Sequence, residues 1–226
     1  MTEFRLLEPD EPHPVVVHRE TGRSELFLTC DHAGRRIPRR LGDLGLPAGE
    51  LERHIAWDIG ALATSKLIAE RLDATLVEQV YSRLVVDCNR APTMPTFIAP
   101  LSEATEIPGN RDLDPHHAAA RPRELHAPYR DRMVGLHEGR ADPGRRVARI
   151  LERLLKREDG LVIGDNEPYA ISDTSDYGIP VHGEQRGIPH LEIEIRQDLI
   201  AGEAGQREWA DRLAPLFEEI LRHLPA

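Results

Sequence analysis

The chain has 226 residues, 40% of them hydrophobic and 30% charged, with a formal charge of −10: enough for one large domain or two small ones, and no signature of disorder. The acidic balance argues against nucleic acid or an anionic membrane as partner, since both need a basic footprint, and leaves an anionic small molecule open wherever arginines converge. The longest apolar runs fall well short of the ~20 residues that cross a bilayer, and the N-terminus lacks a basic stretch followed by an apolar core, so a cytoplasmic protein is expected.

Met1–Ser24, with Pro12 and Pro14, reads as an irregular lead-in around a short strand at Val15–Val17. Glu25–Cys30 is a strand that runs into Asp31, His32, Ala33 and Gly34. An imidazole and a carboxylate then stand at the sheet edge, with Gly34 allowing a sharp exit. Taken alone, His32 reads equally well as the cap of a turn. Gly49–Leu72 has helical spacing, with Leu51, Ile55, Ile59, Leu62, Leu67 and Ile68 on one broad apolar face. His54 and Asp58 lie four apart on that helix, as metal or acid–base partners would, and equally as an ordinary solvated pair.

Ala74–Tyr81 is a second strand and leads into Ser82–Arg90, SRLVVDCNR, the stretch around which the chain is organised. Leu84, Val85 and Val86 favour a buried strand, while Asp87, Asn89 and Arg90 gather at its C-terminal end. In an open parallel sheet that end is where ligands bind. Asn89 and Arg90 make a fork for a carboxylate, with Arg83 as a second cation; the alternative is an internal pair of Arg90 with Asp87. Cys30 and Cys88 are too few for a disulfide framework and read as small buried residues.

Ala91–Pro115 holds Pro92, Pro95, Pro100, Pro108 and Pro115 and reads as a long loop of the kind that rims a site. His116–Arg140 is helical, interrupted near Pro122 and Pro128, and carries His126, Tyr129 and Arg130. Asp142-Pro143-Gly144 starts a helix over Arg145–Arg157 that Gly160 ends. Leu161–Ile163 is a short strand ending in GDNEPY, and the loop beyond, to Gly187, holds Asp173, Asp176, Tyr177, His182 and Arg186. The last strand, His190–Ile195, alternates: Leu191, Ile193 and Ile195 face one way, Glu192 and Glu194 the other. Two carboxylates on one face are costly to bury without a cation, a proton or water, so that face is wet or points into a site. Trp209–Leu224 is an amphipathic closing helix.

DHAGRRIP, HIAWDIGA, SRLVVDCNR, PYR, GDNEPY and HLEIEIRQDL occur in this order, and over roughly residues 25–200 the chain resembles the N-formylglutamate amidohydrolase family. The resemblance implies a single α/β domain over 1–226, three-layer α/β/α with a mixed, mostly parallel central sheet, related to the zinc carboxypeptidases and aspartoacylases. It also implies hydrolysis of an N-acyl amide on an acidic amino acid by a zinc ion that lowers the pKa of a bound water to ~7 and polarises the carbonyl. Carried over motif by motif, His32 and then Asp58 are the metal ligands, with Asp31 and His54 in reserve, because Ala33-Gly34-Arg35 lacks the carboxylate of the related His-x-x-Glu pair. Glu194 is the general base, with Glu192 on the same face. Asn89 and Arg90 grip a substrate carboxylate, and Arg83 or Arg196 takes the other carboxylate of a dianion.

One departure stands out. Between the PYR helix and GDNEPY the family usually carries a strand ending in a Ser-x-His-Ser-like motif that supplies the remaining ligand, followed by an Arg-Pro-Trp loop; neither is present. Losing a central strand would strip its two neighbours of backbone partners, which favours a segment left out near residues 140–142 over a true deletion. The leading expectation is a zinc-dependent amidohydrolase of N-formylglutamate or a similar substrate. Its competitors are a zinc peptidase or deacylase with another acidic substrate, and a metal-free module that binds carboxylates.

Overall fold

The computed structural model describes residues 4–137, 145–167, 170–172 and 176–224. The expected gap near 140–142, the Asp142-Pro143-Gly144 helix start, Pro168-Tyr169 and Asp173 lie outside the described residues.

The chain builds a mixed α/β fold on a small sheet. β1 (Val15–His18) pairs antiparallel with β3 (Thr75–Gln79), and β2 (Phe27–Cys30) pairs with β3 in parallel, giving the order β1-β3-β2. The strand period of two separates the faces of β3. Leu76 packs with Cys30 and Ala69 of α1 (Ala61–Leu72), while Val77 packs with Val15, Tyr129 and Met133 of α3 (Ala127–His137). Helices therefore cover both faces of the sheet. α4 (Arg145–Leu155) and α6 (Glu203–His223) close over α1 through Leu151, Leu154, Leu213 and Phe217. α2 (Pro115–Arg121) joins α3 through a π-helical turn at Pro122–His126, and β4 (Leu101–Ser102) with β5 (Thr105–Glu106) forms a hairpin inside the proline-rich loop. Cys30 and Cys88 are buried free thiols, as expected.

Four expected elements differ. Ser82–Arg90 is buried, with Val85 at 0% exposure, yet it turns rather than extends. The Ser82 Oγ accepts from Leu84 N at 3.1 Å, and Asp87 Oδ1 accepts from Asn89 N at 2.9 Å. Val85 N donates back to Ser82 O, and Arg90 N to Asp87 O. Short polar side chains that capture the amide two residues on offer the backbone an alternative to a ladder.

The helix expected from Gly49 begins only at Ala61. Gly60 at φ +84° breaks the path, and Asp58 N donates to His32 O, outside any helix. His54 and Asp58 consequently do not share a helix face. His190–Ile195 has no ladder partner among the described residues and is not a strand; nor is Leu161–Ile163, where Val162 is fully exposed. Without a paired neighbour, alternation alone makes no sheet, although Leu191 and Ile195 still pack toward α1, α4 and α6.

Candidate active site

The site forms where β2 and β3 run out. The segment after β2 approaches the end of β3 so closely that a Cβ on Gly34 would sit 1.8 Å from Val80 O. Glycine is required here for backbone proximity rather than for the turn expected from sequence. That approach, with the Asp58 N to His32 O bond at 2.9 Å, fixes His32 against the Asp58 and Ser82–Arg90 segments.

His32 is buried and held at both ring nitrogens: Nε2 lies 2.7 Å from Asp87 Oδ1, and Nδ1 lies 3.3 Å from Asp58 Oδ2. Burial opposes its charge, but the Asp87 and Asp58 carboxylates outweigh that cost and push its pKa up to about 9, so both nitrogens act as donors. The same contacts hold Asp87 and Asp58 below the usual carboxylate range against the opposing effect of burial. Arg83 bridges the two acids, with Nη1 3.4 Å from Asp58 and Nη2 3.0 Å from Asp87. Behind His32, the Tyr129 hydroxyl donates to Asp31 at 2.5 Å, and burial pushes Asp31 upward.

The second half of the site gathers at Asn89. Its Oδ1 accepts from Tyr177 N at 3.1 Å and Gly178 N at 2.8 Å; its Nδ2 faces Asp176 at 3.4 Å and Glu192 at 3.5 Å. Gly178 matters for this approach, because a Cβ there would lie 3.2 Å from Asn89 Oδ1 and 3.4 Å from Asp31 Oδ2. Arg90 pairs with Asp176 at 3.3 Å, not with Asp87. Glu192, though solvent-accessible, is pushed up to about 7 by burial of its carboxyl among Asp31, Asp176 and Glu194; Glu194 is also raised, by burial and then by Asp58 and Asp176.

Asn89, Arg90, Arg83, His32, Asp58 and Glu194 thus belong to one electrostatic network. Arg196 does not join it: its guanidinium forks onto Asp198 with the side chain 73% exposed. His54 pairs with Glu103, at the hairpin. Asp176 was assigned no role from sequence, and only its place in a polar loop could have drawn attention to it.

A catalytic zinc needs three protein ligands and an open position. Among the described residues no three His, Cys, Asp or Glu side chains are grouped to hold a metal ion. Both His32 nitrogens face carboxylates, and the Arg83 guanidinium bridges Asp58 and Asp87. This donor set does not fit zinc in the arrangement described.

A model of the N-formylglutamate amidohydrolase family matches residues 24–148 and 131–201. The chain belongs to that family. Among solved structures, a gene product of Agrobacterium tumefaciens is similar at 33% identity and a TM-score of 0.90, over 97% of this chain and 99% of that one. An N-formylglutamate amidohydrolase from Ralstonia eutropha has a similar fold at 17% identity and a TM-score of 0.63, over 94% of this chain and 100% of that one. A comparison with curated proteins finds no match. In this amidohydrolase-family chain, no helix among the described residues is long and apolar enough to cross a membrane.

Proposed function

We propose that the protein hydrolyses the N-formyl, or a similar N-acyl, amide of glutamate or a related acidic amino acid. The observation that carries this reading is the meeting of three distant motifs: His32 contacts Asp87 at 2.7 Å, and Asn89 faces Glu192 across 103 positions of sequence. These are the groups an amide hydrolase needs, since a cation, a carboxylate fork and a base adjoin one another.

In the proposed reaction, Asn89 Nδ2 and the Arg90 guanidinium turn from Asp176 and Glu192 to a substrate carboxylate. The Arg83 guanidinium, which keeps N–H groups beyond those that hold Asp58 and Asp87, faces the acyl oxygen as negative charge develops on it, and the His32 imidazolium, bonded to both acids, holds them in place. Glu194 takes a proton from water as its oxygen attacks the acyl carbon, then returns that proton to the nitrogen as the carbon–nitrogen bond breaks. The products are the free acid, formate for a formyl group, and the amino acid. Glu192 is the second reading for the base, favoured by its contact with Asn89 and by a carboxyl raised to about 7. The three-layer, mostly parallel architecture belongs to the same proposal, supported by helices on both faces of the sheet.

The test is release of formate from N-formyl-L-glutamate, with Glu194→Gln and Glu192→Gln as variants. Loss of about 10²-fold or more in kcat in Glu194→Gln is expected for removal of a general base. Full activity in both variants would overturn the mechanism, and no deformylation by the parent protein would overturn the function. Zinc added back to chelated protein is the second arm. A gain in activity would mean that His32 and Asp58 leave the partners described above for a metal.

A further inference from the structure

A dianionic substrate needs a home for its second carboxylate, and the arginines expected to supply one are engaged. Arg83 bridges Asp58 and Asp87, and Arg196 is forked by Asp198 in solvent. A different set of donors stands one step beyond the Asn89 fork. The Tyr177 and Gly178 amides that donate to Asn89 open the π-helical turn Gly178–Gly183, which carries His182.

His182 is only 6% exposed, and neither of its ring nitrogens has a hydrogen-bond partner among the described residues. Among the same residues the Nε2 of His126, 2% exposed, and the buried Nη1 of Arg186 also lack a partner. The three are neighbours. The Tyr177 ring lies 5.2 Å from His126 and 5.6 Å from His182, edge-on to both, and Arg186 acts electrostatically on His182. Arg130, bonded to Tyr177, adds positive charge on the same side. The acids facing the group are Asp87, which acts on His126, and Asp131, already forked by Arg130.

Buried polar nitrogens in native proteins are almost always satisfied, so several orphans in one place mark a missing partner. Histidines and arginines offering N–H groups together call for an acceptor, and an anionic one suits the surrounding charge. We propose that His126, His182 and Arg186 form a subsite for the side-chain carboxylate of the substrate, adjoining the Asn89–Arg90 fork that holds the other. It rests on the reading of the site as one for N-acyl acidic amino acids. Burial and the neighbouring cations hold both histidines down at about pKa 4, so each is neutral with one N–H to give, and an arriving carboxylate would raise both.

Calorimetry on the intact protein with glutarate and with butyrate, the matching monoanion, tests this without any turnover. Glutarate is expected to bind about tenfold or more tighter, and the preference to collapse in His182→Leu and in Arg186→Gln. The second variant alters a partly exposed residue and guards against a folding defect in the first. Histidine-ring ¹⁵N resonances should move with glutarate and not with butyrate. Equal affinities in the parent, no binding of glutarate, or a preference that survives in both folded variants would each overturn the subsite. Glutarate preference without deformylation would sink the amidohydrolase reading and leave the subsite standing; deformylation without the preference would do the reverse.

Discussion

Replacing Gly34 by alanine should cost more stability than its single methyl group suggests. The added Cβ would sit 1.8 Å from Val80 O, 2.2 Å from its carbonyl carbon and 2.8 Å from its Cα. Reaching an ordinary 3.4 Å contact requires a separation of about 1.6 Å (3.4 − 1.8) between two backbone segments. Neither is free to move: Val80 N donates to Pro14 O at 2.9 Å, and Ser82 N donates to Arg36 O at 2.8 Å. Overpacking typically costs ~1–3 kcal/mol, and a backbone obstacle belongs at the upper end, about 3 kcal/mol. For a domain of this size that is a fall in melting temperature of roughly 6–12 °C. The shift would also draw His32 away from Asp87, so deformylation should fall beyond what the folded fraction explains. Urea titration of Gly34→Ala beside Gly49→Ala is the assay. Gly49 has φ −62° and open space around its missing Cβ, so its variant should stay within about 0.5 kcal/mol of the parent. A Gly34→Ala protein as stable as Gly49→Ala would refute the close-approach argument.

Ser82→Ala removes a buried hydroxyl that donates to Ala56 O at 2.7 Å and accepts from Leu84 N, and should lose about 1–3 kcal/mol in the same titration. Arg196→Ala should leave KM for N-formyl-L-glutamate within about twofold, because surface ion pairs of this kind contribute little; a tenfold rise would return Arg196 to the site. If Glu192 serves as base, kcat/KM should rise with pH through about 7, and Glu192→Gln should abolish that limb. The same raised carboxyl favours its neutral form in the folded protein, so its contribution to stability is present below about pH 4.5 and is lost as pH rises toward about 7. Denaturation at pH 5 and pH 8 should show that slope in the parent and a shallower one in Glu192→Gln.

Local chemistry was legible where one side chain type dictates one outcome. The β-branched and apolar runs at Val15–Val17, Glu25–Cys30 and Ala74–Tyr81 announced β1, β2 and β3, and the burial of Leu84, Val85 and Val86 followed from hydrophobicity alone. Conformation was less legible where side chains compete with the backbone. Ser82 and Asp87 capture nearby amides and bend what reads as a strand, and Gly60 at φ +84° ends a helical pattern that the apolar spacing carries through unbroken. The alternation sets Glu192 and Glu194 together, and both act electrostatically on the site, but it also turns Ile193 toward the core, where the structure leaves it exposed. It could not predict the missing ladder, which depends on what lies alongside.

By itself, the sequence determined the set of motifs, the family they belong to, and the pairing of apolar burial with polar strand ends, because these depend on residue type and order. Only the tertiary structure decided the partners. Asp87 and Asp58 close on His32, Arg90 goes to Asp176 rather than Asp87, Arg196 stays in solvent, and His126, His182 and Arg186 bury nitrogens that have no partner among the described residues. The physical reason is one of range. A side chain's preference for burial is intrinsic, whereas its choice among several opposite charges is settled within a few ångströms, by segments that the chain brings together from as far as 103 residues apart.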